Sequence, residues 1–145
     1  MFEKIVICLD GSKRSELILP YATEEAAHFR SRIILLQVFT PPIHGVVTGL
    51  GAAEQIQKET DEEEKRIANY LDGVAGPLRE KGLNVECVIR QGNPGEEIVT
   101  YAHEKGVGLV AIATERRRGL VRATFGHTTD FILKEAHVPV LLVKP

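Results

Sequence analysis

The sequence predicts an α/β fold, an open sheet of five parallel strands with helices on both faces. Three observations carry that expectation. Five short apolar runs, rich in valine and isoleucine, recur at residues 4–9, 32–39, 84–90, 108–114 and 138–144. Segments with apolar residues at helical spacing separate them, so strand and helix alternate along the chain. The first, second, fourth and fifth runs are nearly uninterrupted, as in strands buried on both faces of a parallel sheet. Right-handed crossovers leave few topologies for such an order.

Each element has its own signature. "KIVICL" (4–9) opens the sheet. Residues 15–30 follow with Leu17, Ile18, Tyr21, Ala22, Ala26 and Phe29 on one stripe, and Ser12 or Ser15 in position to cap it. Pro20 conflicts with a continuous helix there and predicts a kink in its second turn. "RIILLQVF" (32–39) is the second strand. Residues 40–54, "TPPIHGVVTGLGAAE", read as an irregular loop because of their prolines and glycines. A helix over 54–81 places Ile67, Leu71, Val74, Ala75 and Leu78 inward, with Asp61–Lys65 and Glu62–Arg66 as ion pairs on its solvent face. Gly82 is its stop signal. "NVECVIR" (84–90) is a short third strand, flanked by Gly82 and Gly92. A helix over 95–105, begun by Pro94, turns Ile98, Val99 and Ala102 inward. "GLVAIAT" (108–114) is the fourth strand, residues 127–136 are a helix carrying Phe131, Ile132 and Leu133, and "VPVLLVK" (138–144) closes the sheet.

Length and composition set outer limits. At 145 residues the chain is one domain, 1–145. A formal net charge of −2 argues against a general nucleic-acid binder, which carries a basic excess. No apolar run approaches the roughly 20 residues of a membrane span, and the N-terminus lacks the pattern of a signal peptide. Cys8 and Cys87 each lie in an apolar run, which predicts buried free thiols in a reducing cytoplasm rather than a disulfide framework. "ETDEEE" (59–64) reads as a solvated helix face. The five histidines show no paired metal spacing, and no serine lies in a nucleophile-elbow pattern.

In an open parallel sheet, ligands bind beyond the carboxyl ends of the strands, where the strand order reverses. If the first strand lies between the second and the fourth, the crevice falls between strands one and four. Asp10 then faces residues 113–129, "ATERRRGLVRATFGHTT". Asp10 has two readings: a carboxylate that accepts from a ribose or base, or a cap on the following helix. The arginines also have two: a phosphate grip by guanidinium, or a charged surface turn. Gly126 precedes a helix whose first amides, at His127, Thr128 and Thr129, face any anion held there.

Taken in order, "KIVICLDGS", "SELILPYATEEAAHF", "IILLQVFTPP", "QGNPGEEIVTYAHEKGVGLVAIAT" and "HVPVLLVK" make the chain similar to the universal stress protein family from end to end. That resemblance implies a Rossmann-like, adenine nucleotide alpha hydrolase-like α/β fold and a cytoplasmic homodimer joined through the closing strand 138–144. One branch of the family binds ATP through a glycine, two residues, a second glycine, nine residues, then glycine and Ser or Thr. Against that signature Asp10 matches the family's nucleoside-side aspartate, Val38 the adenine-side valine and Gly126 the last glycine. Ala113 stands where the first glycine belongs, Arg116 where the second does, and His127 replaces the Ser or Thr, with Thr128 next. The resemblance therefore keeps the nucleoside half of the site and alters the phosphate half.

Two functions follow. One is a regulatory module that binds an adenine nucleotide (AMP, ADP or ATP) between strands one and four, using Asp10, Val38, Ala113, Arg116, Gly126, His127 and Thr128. The altered loop favours AMP or ADP over ATP. The other is a dimeric stress protein acting through protein partners, with Arg116–Arg118 as an interaction surface. An enzyme is not favoured: a slow ATPase is the most the residues suggest, and they indicate nothing about Mg.

Overall fold

The computed structural model describes residues 1–41, 51–114 and 126–144. The strands are β1 (Lys4–Leu9), β2 (Arg32–Phe39), β3 (Asn84–Gln91), β4 (Leu109–Ala113) and β5 (Val140–Val143). They form one sheet in the order β3-β2-β1-β4-β5, and each neighbouring pair is parallel. Four α-helices alternate with them: α1 (Leu19–Phe29), α2 (Ala52–Glu80), α3 (Pro94–Glu104) and α4 (His127–Glu135). The predicted fold class is the one observed, with β1 between β2 and β4.

The continuity of the apolar runs follows from this layering. Successive side chains on a strand point to opposite faces. Ile5, Ile7, Ile33 and Leu35 pack with Ile18, Ala22, Ile67 and Leu71 on the side of α1 and α2. Val6, Cys8, Ile34 and Leu36 pack with Ile98, Ala102 and Ile132 on the side of α3 and α4. β3 is longer than its sequence suggested; it pairs with β2 along its whole length, from Arg32↔Asn84 to Phe39↔Gln91. β5 is shorter than the run 138–144. Pro139 has no N–H to give, and joins the sheet only through its carbonyl, which accepts from Val110 N–H at 3.0 Å.

The helix expected over 15–30 is in two pieces. Ser15–Ile18 wind as a 3₁₀ turn, and α1 starts at Leu19. Pro20 therefore sits in the first turn of α1, where its missing N–H has no intrahelical partner to lose, and the predicted kink gives way to a helix start. The tighter 3₁₀ winding also shifts the phase of the stripe. Ile18, Ala22 and Ala26 are buried, whereas Leu17, Tyr21 and Phe29 are exposed.

α2 begins at Ala52, two residues before the expected start, and residues 42–50 of the predicted loop lie outside the described residues. Its inward face is as expected, with Ile67, Leu71, Ala75 and Leu78 buried and Val74 packed at the margin. Its surface contacts differ: Arg66 pairs with Glu63, and Asp61 accepts from Gln57. At this spacing several acidic partners compete in high dielectric, so sequence spacing does not choose among them. α2 ends in a Schellman motif, with Leu83 N–H on Leu78 C=O at 3.2 Å, Gly82 N–H on Arg79 C=O at 2.9 Å, and Gly82 at φ +85°. α3 is capped by Asn93, whose side chain accepts from Glu96 N–H.

Candidate functional site

β1 stops at Leu9, and the next residues build a turn from their own polar groups. Gly11 takes φ +87°, a conformation open to glycine, and reverses the chain. Asp10 Oδ1 accepts from Ser12 N–H at 2.8 Å, which closes an Asx turn. Asp10 Oδ2 accepts from Arg14 Nη2 at 2.9 Å. Asp10 N–H donates to Ser15 Oγ at 3.3 Å, and that hydroxyl donates to Ser12 C=O at 2.8 Å. Ser12 Oγ accepts from Ser15 N–H at 3.1 Å. The serines thus tie the turn together, while the N-cap positions of the 3₁₀ turn and of α1 are Arg14 and Ile18, with no side-chain cap at either. Asp10 is not a helix cap.

Two influences oppose each other on the Asp10 carboxyl. Partial burial raises its pKa, but the hydrogen bonds from Ser12 and Ser15 and the charge of Arg14 outweigh that and hold it below the ordinary value of 3.8. The carboxylate is therefore ionised at neutral pH. Its side chain is 51% exposed, so it is accessible to a ligand.

The opposite wall comes from the other side of the switch point. β4 pairs with β1 through Ile5↔Leu109, Val6↔Val110 and Ile7↔Ala111, which brings Ala113 at its end beside the Asp10 turn. α4 returns the chain to the same place. Gly126 precedes it at φ +83°, ψ 160°, with no side-chain cap on the first turn. That backbone region is essentially restricted to glycine.

Between these walls lies a cleft of about 370 Å³. It is lined by Asp10, Val38, Ala113, Gly126, His127 and Thr128, all of which the sequence nominated. Arg116, the remaining nominee, lies outside the described residues, as do Arg117, Arg118 and Arg122. The sequence reading missed Arg14 and Ser15, which also line the cleft together with Thr129, Pro94, Ile98 and Ile112. Arg14 had a signal, four residues after Asp10 in a turn that brings such positions together. Pro94 and Ile98 had one too, an i,i+4 spacing on α3. Cys8 lies at the floor, where burial pushes its thiol up to about 12 and keeps it protonated. Cys87 is on the opposite face of the sheet, and both cysteines are free. Among the described residues no group of three or more His, Cys, Asp or Glu is placed to hold a metal ion, and no helix is long and apolar enough to cross a membrane.

Comparison with known proteins places this geometry in context. The family model described as the universal stress protein family matches residues 1–144. Universal stress protein MJ0531 of Methanocaldococcus jannaschii is 28% identical over 144 residues, covering 99% of this chain and 83% of the relative. Among solved structures, that of the protein MJ0577 has a TM-score of 0.81 at 24% identity, covering 100% of this chain and 97% of the other. A universal stress protein solved in complex with cAMP has a TM-score of 0.70 at 18% identity, covering 99% and 97%. An Arabidopsis thaliana member solved with AMP bound has a TM-score of 0.67 at 18% identity, covering 97% and 90%.

Proposed function

The chain belongs to the universal stress protein family, and from that premise we propose that it is a cytoplasmic regulatory module that binds an adenine nucleotide between β1 and β4. The observation that carries this reading is the cleft itself. It lies beyond the carboxyl ends of β1 and β4, where the strand order reverses, and Asp10, Val38, Gly126 and Thr128 converge on it. In this reading Val38 packs on the base, Asp10 accepts from a nucleoside hydroxyl or amine, and the uncapped first turn of α4 meets phosphate. Two structural neighbours carry cAMP and AMP. Ala113 and His127, where the ATP-binding signature has glycine and Ser or Thr, favour AMP or ADP over ATP.

The same reading takes the protein to be a homodimer joined through β5. Both β3 and β5 are edges, but they differ in chemistry. β3 carries Glu86 and Arg90, charges that discourage pairing at an edge, whereas β5 is Val-Leu-Leu-Val and half-buried in the single chain. A charge introduced by Leu142→Arg is expected to yield a monomer by light scattering.

The deciding measurement is thermal unfolding with AMP, ADP and ATP. A ligand at about 100 times its Kd stabilises the folded state by about 2.7 kcal/mol. For a chain of this size that is a rise in Tm of about 8 °C. No rise with any of the three at millimolar concentration overturns the nucleotide reading and favours a module that acts through protein partners alone.

A further inference from the structure

We propose that Arg14, through its ion pair with Asp10, is the residue that makes the cleft select a phosphorylated nucleoside over the bare nucleoside; this rests on the nucleotide reading above. Among the described residues that line the cleft, Asp10 is the one carboxylate and Arg14 the one guanidinium. A lone carboxylate is a poor neighbour for phosphate, because the two anions repel across a space too short for solvent to screen fully. Here the carboxylate is not alone. Arg14 Nη2 stands 2.9 Å from Oδ2, and the guanidinium, with its side chain 34% exposed, lines the same cleft. The pair cancels the charge that Asp10 brings and leaves its accessible carboxylate able to accept from a neutral hydroxyl or amine.

The position of Arg14 follows from local structure. It precedes the 3₁₀ turn Ser15–Ile18 and is held over Asp10 by the Asx turn at Ser12 and by the two-way bonding of Ser12 with Ser15. The 3₁₀ turn carries this stretch toward β4. Arg14 is therefore a fixed counter-charge at the binding site and not a solvated side chain that happens to be near. Removing it takes one positive charge from beside the Asp10 carboxylate, and removing the charge of Asp10 instead takes one negative charge from beside the guanidinium.

The test is isothermal titration of adenosine and AMP into the full-length wild type, Arg14→Gln and Asp10→Asn, at low and at moderate salt. The readout is the ratio of the two affinities, which cancels any uniform loss from a loosened turn. Arg14→Gln is expected to lower the AMP-to-adenosine preference by roughly tenfold at low salt, and by less as salt is raised. Asp10→Asn is expected to raise the same ratio even if adenosine itself binds more weakly. A ratio unchanged in both variants, or AMP and adenosine weakened equally by Arg14→Gln, overturns the role given to Arg14 while leaving the nucleotide reading intact. Wild type that binds neither compound sinks the nucleotide reading, and this inference falls with it.

Discussion

Two glycine-to-alanine substitutions should move stability in opposite directions. Gly95 is the second residue of α3, beside Pro94 at the cleft. A Cβ built there meets Phe131 Cβ, Cγ and Cδ1 at 3.0 Å each. Carbon atoms prefer about 3.5–4.0 Å, so the contact is too close by about half an ångström. Because Cβ of Phe131 is among the atoms met, no side-chain rotation relieves it; α3 and α4 must separate. Such overpacking costs about 1–3 kcal/mol. The helix preference for Ala over Gly offsets at most about 1 kcal/mol, and less in a first turn. Gly95→Ala should therefore lose about 1 kcal/mol, a fall in Tm of about 3 °C. Gly73 lies on the exposed side of α2, where an added Cβ meets nothing within 4 Å. Gly73→Ala keeps only the helix gain, about 1 kcal/mol, and should raise Tm by about 3 °C. Differential scanning calorimetry of the two variants beside wild type measures both. If both substitutions raise Tm equally, the close packing of α3 on α4 at Phe131 is wrong. If Gly95→Ala behaves as expected, it should also weaken AMP binding, because α4 carries one wall of the cleft.

Further outcomes follow from the site. Gly126→Ala forces a side chain into a glycine backbone region and should cost about 1–3 kcal/mol by urea unfolding, although the added Cβ has open space around it. A loss near zero would mean that the turn into α4 does not hold that conformation. Asp10 has its pKa lowered in the fold, so its contribution is complete above the ordinary value of 3.8 and is lost as pH falls through the lower folded value. Asp10→Asn should thus be less stable than wild type at neutral pH, by no more than about 1 kcal/mol for a half-exposed carboxylate. The gap should close in acid, and a gap that widened there would reverse the assigned sign. Cys8, buried and protonated, should resist a disulfide reagent until the protein unfolds, while the half-buried Cys87 reacts first. Equal rates for the two thiols in the folded protein would contradict the closed floor of the cleft.

Much of the fold is legible in the chain because the signals are local. "KIVICL" and "RIILLQVF" coincide with β1 and β2, since a run of Val, Ile and Leu buried on both faces has no other comfortable conformation. The stop at Gly82 is equally local. The misreadings arose where a nearby contact competed with spacing. Pro20 looked like a kink until the 3₁₀ turn moved the start of α1 to it. Arg66 chose Glu63 over Glu62, a choice among near-equal partners in water.

The candidate site divides the same way. Asp10, Val38, Gly126 and Thr128 stand out as residue types at strand and helix ends, and the cleft gathers all of them. Arg14 has only its spacing from Asp10 to mark it in the sequence; its role comes from facing Asp10 and the cleft together. Strand order does much of the gathering: β1 pairs with β4 across more than a hundred residues of chain and sets Asp10 beside Ala113, while α4 brings Gly126 to the same cleft. Hydrophobic periodicity acts within a turn or a pleat and dictates which segments are strands and helices. Which segment ends meet depends on crossovers and on the packing of two helical layers, and those energies exist only once the whole sheet is assembled.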